Sequence, residues 1–230
     1  LGGFDAELAT YDLQPEITGS WELGTNLNFF SNRFVLDLTY YFKNSNNQIM
    51  EVALPPSSGF STIFRNAAHL QNSGLEVQAD FNLINKKDFE WNTTLTWSKN
   101  KSLVVKLFQD TKSFPLDEQW FSTIQANEGK EYGNIYTYDF KRDNKGRILV
   151  DDKGFVLKGD YKSMGNINPD WLGGIYNSFR YKNIFLSFLV DIRKGGDVYS
   201  IGKAYRCLFG TSALTLEGRK EWYATHDPAY

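Results

Sequence analysis

The sequence is poor in the residues on which most soluble chemistries rest. One cysteine, Cys207, stands in 230 residues, which excludes an intrachain disulfide framework. It reads as a small apolar residue and not as a catalytic thiol, because no local motif sets either histidine, His69 or His226, beside it. Two histidines are also too few for a His-based metal site. No apolar run reaches the ~18 residues of a membrane-crossing helix, and no signal-peptide pattern opens the chain. The net charge is −2, and no Lys/Arg cluster is interleaved with aromatics, so nucleic-acid binding has no electrostatic support. G-x-S-x-G, Walker A, HExxH and CxxC motifs are missing. Neither an enzyme nor a cofactor is expected. Asp143 to Gly146 misses the spacing of a calcium loop and reads as a turn. Asp151 and Asp152 are adjacent, so in an extended chain they face opposite ways and make no catalytic dyad.

Aromatic residues are plentiful at 16%, while hydrophobic content is 41%. That balance fits sheets with sharply divided faces, including membrane barrels with polar interiors. The division is plainest between Ser73 and Lys106. Leu75, Val77, Ala79, Phe81 and Leu83 point one way; Glu76, Gln78, Asp80 and Asn82 point the other. After a polar turn, Phe89, Trp91, Leu95 and Trp97 oppose Glu90, Asn92, Thr94, Thr96 and Ser98. Similar alternation starts at Ile17 and resumes at Trp171. The pattern predicts an all-β, antiparallel, up-and-down architecture of about six long strands. Its hairpins lie near 17–47, 72–106 and 171–195, with long loops near 44–71, 107–170 and 196–230. A small β-ribbon is predicted across the turns Asp143–Gly146 and Asp151–Gly154, and a short amphipathic helix across Leu216–Tyr223.

Short turns at one end and long loops at the other describe an outer-membrane barrel. The polar faces carry amides, hydroxyls and isolated acids with little lysine, which suits a watery lumen. Aromatics gather near strand ends (Phe29-Phe30, Tyr40-Tyr41-Phe42, Phe89 with Trp91, Trp171), as membrane interface girdles do. An open sheet cannot sit in lipid with unpaired edges, so the chain reads as an arc of a larger barrel. Leu1-Gly2-Gly3 and Pro228-Ala229-Tyr230 read as cuts in a longer chain. The competing reading is a soluble extracellular β-sandwich acting as a carbohydrate-binding or adhesion module.

Several ordered stretches resemble the SusC/RagA branch of TonB-dependent outer-membrane transporters. They are Leu13-Gln14-Pro15-Glu16 with Trp21-Glu22-Leu23-Gly24, Leu36 to Tyr41, Leu54 to Gly59, Asn66-Ala67-Ala68 with Asn72 to Glu76, Gly165 to Trp171, and Asp191 to Asp197. The resemblance implies a barrel of about 22 strands with an N-terminal plug that these residues do not match. It implies import of oligosaccharides or peptides across the outer membrane of a Gram-negative bacterium. A SusD-like surface lipoprotein would be a partner, with energy from the TonB complex through a region outside this chain. On the barrel reading, Glu76, Gln78, Asp80, Asn82, Glu90, Asn92, Thr94 and Thr96 face the lumen, and the odd-numbered apolar residues meet outer-membrane lipid. The loop aromatics Trp120, Phe121, Tyr132, Tyr136 and Tyr138 are candidate contacts for a ligand or a partner.

Overall fold

The computed structural model describes residues 7–8, 10–54, 56–108 and 111–226. The two chain ends read as cuts lie outside them, as does Pro55. Six strands form one large antiparallel sheet: β2 (Ile17–Phe29), β3 (Phe34–Ala53), β4 (Thr62–Lys86), β5 (Phe89–Leu107), β10 (Pro169–Tyr181) and β11 (Ile184–Gly195). Their order is β11-β10-β5-β4-β3-β2. A two-residue strand, β1 (Glu7–Leu8), runs parallel to β4 at its start. A second sheet, built from the excursion between β5 and β10, holds β6 (Ser113–Gln119), β7 (Ser122–Asn127), β8 (Asn134–Phe140) and β9 (Lys158–Asn166) in chain order.

The three short turns lie on one rim. Asn82 N–H, near the end of β4, donates to Arg33 O of the first turn at 2.9 Å, and Lys182 N–H donates to Asp88 O from the third to the second at 2.9 Å. The first turn is tight enough to place Phe30, Ser31 and Asn32 at positive φ. On the opposite rim stand the long excursions. The large sheet is open: β2 and β11 each pair on one side, and every residue of both is exposed. Among the described residues no second sheet is stacked on either of its faces. This is a barrel arc, and the sandwich reading fails, because a sandwich needs two inner faces packed on each other.

The segment 44–71, expected as a loop, is mostly strand. β3 runs 20 residues and β4 25, leaving 54–61 as the loop, closed by Leu54 N–H to Ser61 O at 2.9 Å. The Asn-rich stretch read as a break is absorbed as bulges: register shifts fall between Ser45 and Ile49, with Asn47 at φ 57°. Asn66 then pins the bulge, its Nδ2 donating to Asn47 O at 2.8 Å and to Gln14 O at 2.7 Å. Another bulge sits between Asn82 and Ile84, so Ile84, not Leu83, pairs with Trp91. In the 107–170 region the expected ribbon is present as bridges Arg142–Ile148 and Val150–Val156, beside a sheet the alternation did not predict. The predicted helix appears slightly later, as α2 (Arg219–Thr225); α1 (Ile201–Leu208) was not foreseen.

Backbone hydrogen bonds join the β7–β8 connection to β5 (Val104 N–H to Lys130 O and Tyr132 N–H to Ser102 O, each 2.9 Å), and two side-chain clusters add to them in holding the small sheet on the rim. The first is a compact core of Ala68, Val104, Leu107 and Ala126, with Val104 fully buried. The second is a polar junction where β9 ends, β10 starts and β11 ends. Asp197 accepts the Asn166 N–H at 3.0 Å and returns its own N–H to Asn166 O at 2.7 Å. Asn166 Nδ2 donates to Tyr132 O and to Asn134 Oδ1, each at 3.1 Å, and its Oδ1 accepts the Asn168 N–H at 2.8 Å. Arg193 donates to Ile167 O at 2.9 Å. Gly133, at φ 84°, is required here: a Cβ would lie 2.6 Å from the Ile167 side chain.

Asn166 carries more of this junction than any other side chain. In the full-length protein in detergent, Asn166→Ala is expected to speed amide hydrogen exchange in 134–140 and 158–166 about tenfold, as about 1–2 kcal/mol of lost hydrogen bonding requires. Exchange in the middle of β5 should stay unchanged. Equal protection in variant and wild type would show that the Asn166 side chain does not help hold the sheet.

Candidate functional site

The pleat separates two chemically distinct faces. Bonded neighbours across all six strands form rows, and one row on the polar face reads Asn26, Asp37, Gln78, Thr96, Gly174, Asp191. The next rows are Asn28, Val35, Asp80, Thr94, Tyr176, Leu189 and Gly24, Thr39, Glu76, Ser98, Leu172, Arg193. Glu76, Gln78, Asp80, Asn82, Glu90, Asn92, Thr94 and Thr96 therefore share one face. The middle of that face is a shallow hollow of about 420 Å³. Asp80 is well partnered: Gln78 Nε2 donates to it at 2.9 Å and the Thr94 hydroxyl at 2.5 Å. Asn26 Nδ2 donates to Asp37 at 3.2 Å. Asp37, Glu76, Asp80 and Asp191 make no ion pair among the described residues. Near the turns, Arg180 donates to both Glu90 carboxylate oxygens, through Nε and Nη2. Asn26, Asp37, Thr39 and Asp191 extend that set onto the neighbouring strands, on a face the alternation already marks. Leu172, Tyr176, Phe185 and Leu189 make the β10–β11 end of this face apolar, which no clean alternation signalled.

The other face is mainly apolar across all six strands. Its rows run Leu27, Leu36, Ala79, Leu95, Ile175, Val190 and Phe29, Phe34, Phe81, Thr93, Asn177, Phe188. Rings stack along the turn rim, Phe34 on Phe81 at 4.8 Å and Trp91 on Phe179 at 5.4 Å. The one amide in these rows, Asn177, is spent locally. Its Oδ1 accepts from Thr93 Oγ1 at 2.7 Å and from Trp91 Nε1 at 3.1 Å, so a polar group on an apolar wall is satisfied by its neighbours.

The loop aromatics divide. Trp120, Phe121 and Tyr138 line one hollow of about 530 Å³ at the end of the small sheet farthest from the rim core, together with Phe140, Lys158 and Tyr161. Tyr136 stands behind it, its ring 5.6 Å from Tyr161. Tyr132 is elsewhere: it packs against the rim core and contributes packing, not a hollow wall. α1 reaches back to this end, Tyr205 meeting Trp120 edge-on at 5.6 Å. The charges here are internally matched. Lys162 Nζ lies 2.7 Å from Asp139 Oδ2, and Lys158 Nζ sits 3.2 Å over the Tyr138 ring. The hydrogen bond from Lys162, helped by the Phe140 N–H, holds the Asp139 carboxyl below the usual range. In the adjoining ribbon the Arg147 N–H and guanidinium do the same for Asp143. Phe140, Lys158 and Tyr161 were missed because short strands interrupted by bulges leave too few repeats to show a period. Among the described residues no group of three His, Cys, Asp or Glu side chains is placed to hold a metal.

Comparison with known proteins agrees with this geometry. The family described as "TonB dependent receptor-like, beta-barrel" matches residues 2–227. TonB-dependent receptor P3 of Formosa agariphila is 27% identical over 84% of this chain and 22% of its own length. TonB-dependent receptor SusC of Bacteroides thetaiotaomicron is 24% identical over 88% of this chain and 22% of its own. Among solved structures, the RagAB peptide importer in its open-open state superposes with a TM-score of 0.63 at 17% identity, covering 80% of this chain and 21% of that one. That likeness is one of fold. The chain thus spans about a fifth of the length of the relatives it matches. Over that span it belongs to the TonB-dependent receptor β-barrel family.

Proposed function

We propose that this chain is a wall segment of an outer-membrane importer in a Gram-negative bacterium. Its apolar face meets lipid, its polar face lines the lumen, and its long excursions stand outside the cell. The observation that carries the reading is the two-faced ladder with neither face covered. A large apolar face left open on a hydrogen-bonded sheet needs a medium in which apolar surface is at no disadvantage, and the bilayer supplies it. The open edges of β2 and β11 need strands from the rest of the protein, because each unpaired backbone group in lipid costs several kcal/mol.

Glu76, Gln78, Asp80, Asn82, Glu90, Asn92, Thr94 and Thr96 are the lumen residues in this reading. Their amides, hydroxyls and carboxylates hold water and offer hydrogen bonds to a polar solute. The whole protein would import oligosaccharides or peptides. It would work with a SusD-like surface lipoprotein and draw energy from the TonB complex through regions outside this chain. What supports these finer points is likeness to relatives named SusC and RagAB.

Two measurements test the orientation on the full-length protein. Val77→Arg is expected to destabilise the barrel in liposomes by about 2–4 kcal/mol in urea unfolding, the cost of a cation on the lipid face, whereas Gln78→Arg should stay within about 0.5 kcal/mol. Equal costs would overturn the assignment of faces. Separately, a spin label at position 77 should be relaxed by oxygen, and one at 78 by a water-soluble quencher. Reversed accessibility would mean that the polar face meets lipid, and failure to fractionate with outer membranes would sink the importer reading itself.

A further inference from the structure

We infer that Lys99, Lys194 and Lys101 form a binding site for phosphate-bearing lipid headgroups of the outer leaflet, at the top of the apolar belt. The site rests on the importer reading for the orientation of the two faces, and it lies on the side of the wall that a solute in the lumen never meets.

Register places the three lysines. The row Leu23, Tyr40, Leu75 continues to Lys99. Leu172 pairs with Ser98 and Trp171 with Lys194, so Trp171 stands between Lys99 and Lys194 in that row. Lys101 shares the face one row higher, beside Ser73. Directly beneath, Val77, Trp97 and Ile192 keep the same parity and are still apolar. Lys99 and Lys194 each stand ten residues past the first residue of their strand, Phe89 and Ile184. At about 3.4 Å per residue and a tilt of about 45°, that climb is about 24 Å. An outward apolar band is about 25 Å tall. The lysine stems therefore lie over the last of the hydrocarbon, and their amines reach the headgroups.

Charge and position together name the occupant. Lys99 and Lys194 make no ion pair among the described residues. Lys101 lies 3.6 Å from Glu131, but both side chains are more than half exposed, so that pair is weak. Among the described residues no carboxylate shares this face between the turn rim and the row of Lys99. Lys99 and Lys194 are two strands apart, about 10 Å at the backbone, and their flexible stems let both amines close on one headgroup. The Trp171 indole lies down over Gly173, where a Cβ would meet its Cζ3 at 3.0 Å, on the belt side of the two amines. At the same height β2 and β3 carry rings instead, Trp21 lying 5.4 Å from Tyr40 and stacking on Phe42 at 5.8 Å. An interface girdle accounts for those rings but not for cations gathered on β5 and β11. A soluble partner cannot follow the wall down into hydrocarbon. A phosphorylated lipid brings an anion for the amines and acyl chains for the apolar rows beneath them, and basic clusters beside a membrane recruit such headgroups.

The test is native mass spectrometry of the full-length protein in detergent, titrated with diphosphoryl lipid A, with its dephosphorylated form and with inorganic phosphate. Diphosphoryl lipid A is expected to bind more tightly than the dephosphorylated form. Lys99→Gln and Lys194→Gln should each weaken it about fivefold, and together at least about tenfold, while Lys99→Arg with Lys194→Arg should stay within about twofold. Lys86 stands on the same face at the turn rim, opposite Phe89, and Lys86→Gln should also stay within about twofold. Heat-modifiable gel migration confirms that each variant barrel is folded. The inference is overturned if both forms of lipid A bind equally, if the double glutamine variant binds like the wild type, or if Lys86→Gln costs as much as Lys99→Gln. It is also overturned if inorganic phosphate binds through these lysines as tightly as the lipid does. Lysines that prove indifferent, with a spin label at position 77 still relaxed by oxygen, remove the headgroup site and leave the wall. Lysine-dependent lipid binding by a protein that does not fractionate with outer membranes leaves the site and removes the importer.

Discussion

Every larger feature depends on the hydrogen-bonded ladder. Backbone N–H and C=O groups must be paired wherever water is excluded. Antiparallel neighbours with short turns achieve that with local connections, and from β2 to β11 the ladder is broken only by bulges. Once the ladder exists, the pleat sends alternate side chains to opposite faces. The sequence needs only to keep its parity for a continuous apolar wall and a continuous polar one to form. Parity is kept even where strands are bulged: the extra residue beside Asn82 lets Ile84 return to the apolar face opposite Trp91.

Long alternating strands were therefore legible from residues alone, since Leu75 to Phe81 and Phe89 to Trp97 repeat often enough to fix both strand and face. The segment 44–71 was not. Asn-rich and Pro/Gly-bearing stretches normally punctuate a chain, yet here Asn47 takes a left-handed conformation inside a bulge and Asn66 supplies the missing partners. Tertiary hydrogen bonds turned a local break signal into a kink in a strand. β11 was legible as a strand but not fully as to face, because Phe185 and Leu189 put apolar groups on both sides.

The distal hollow shows the opposite limit. Trp120, Phe121 and Tyr138 stood out by composition alone, and three of the five aromatics singled out do meet in one place. Tyr132 looks the same in sequence and does different work, because its neighbours Glu131 and Gly133 tie it to the rim, where it packs against Ala68, Val104, Leu107 and Ala126. Residue type names a chemistry; only the chain path says whether that chemistry is turned outward or spent on packing.

The small sheet is fastened at several separated places: by the apolar core on β4 and β5, by the Asn166–Asp197 exchange beside β10 and β11, and at its far end by Tyr205 of α1 against Trp120. A body pinned at one place can swing in any direction; pinned at places that do not lie on one line, it has no axis left to turn about. The excursion is therefore a bracket and not a flap, and a shift of the strands beneath it carries the whole bracket along.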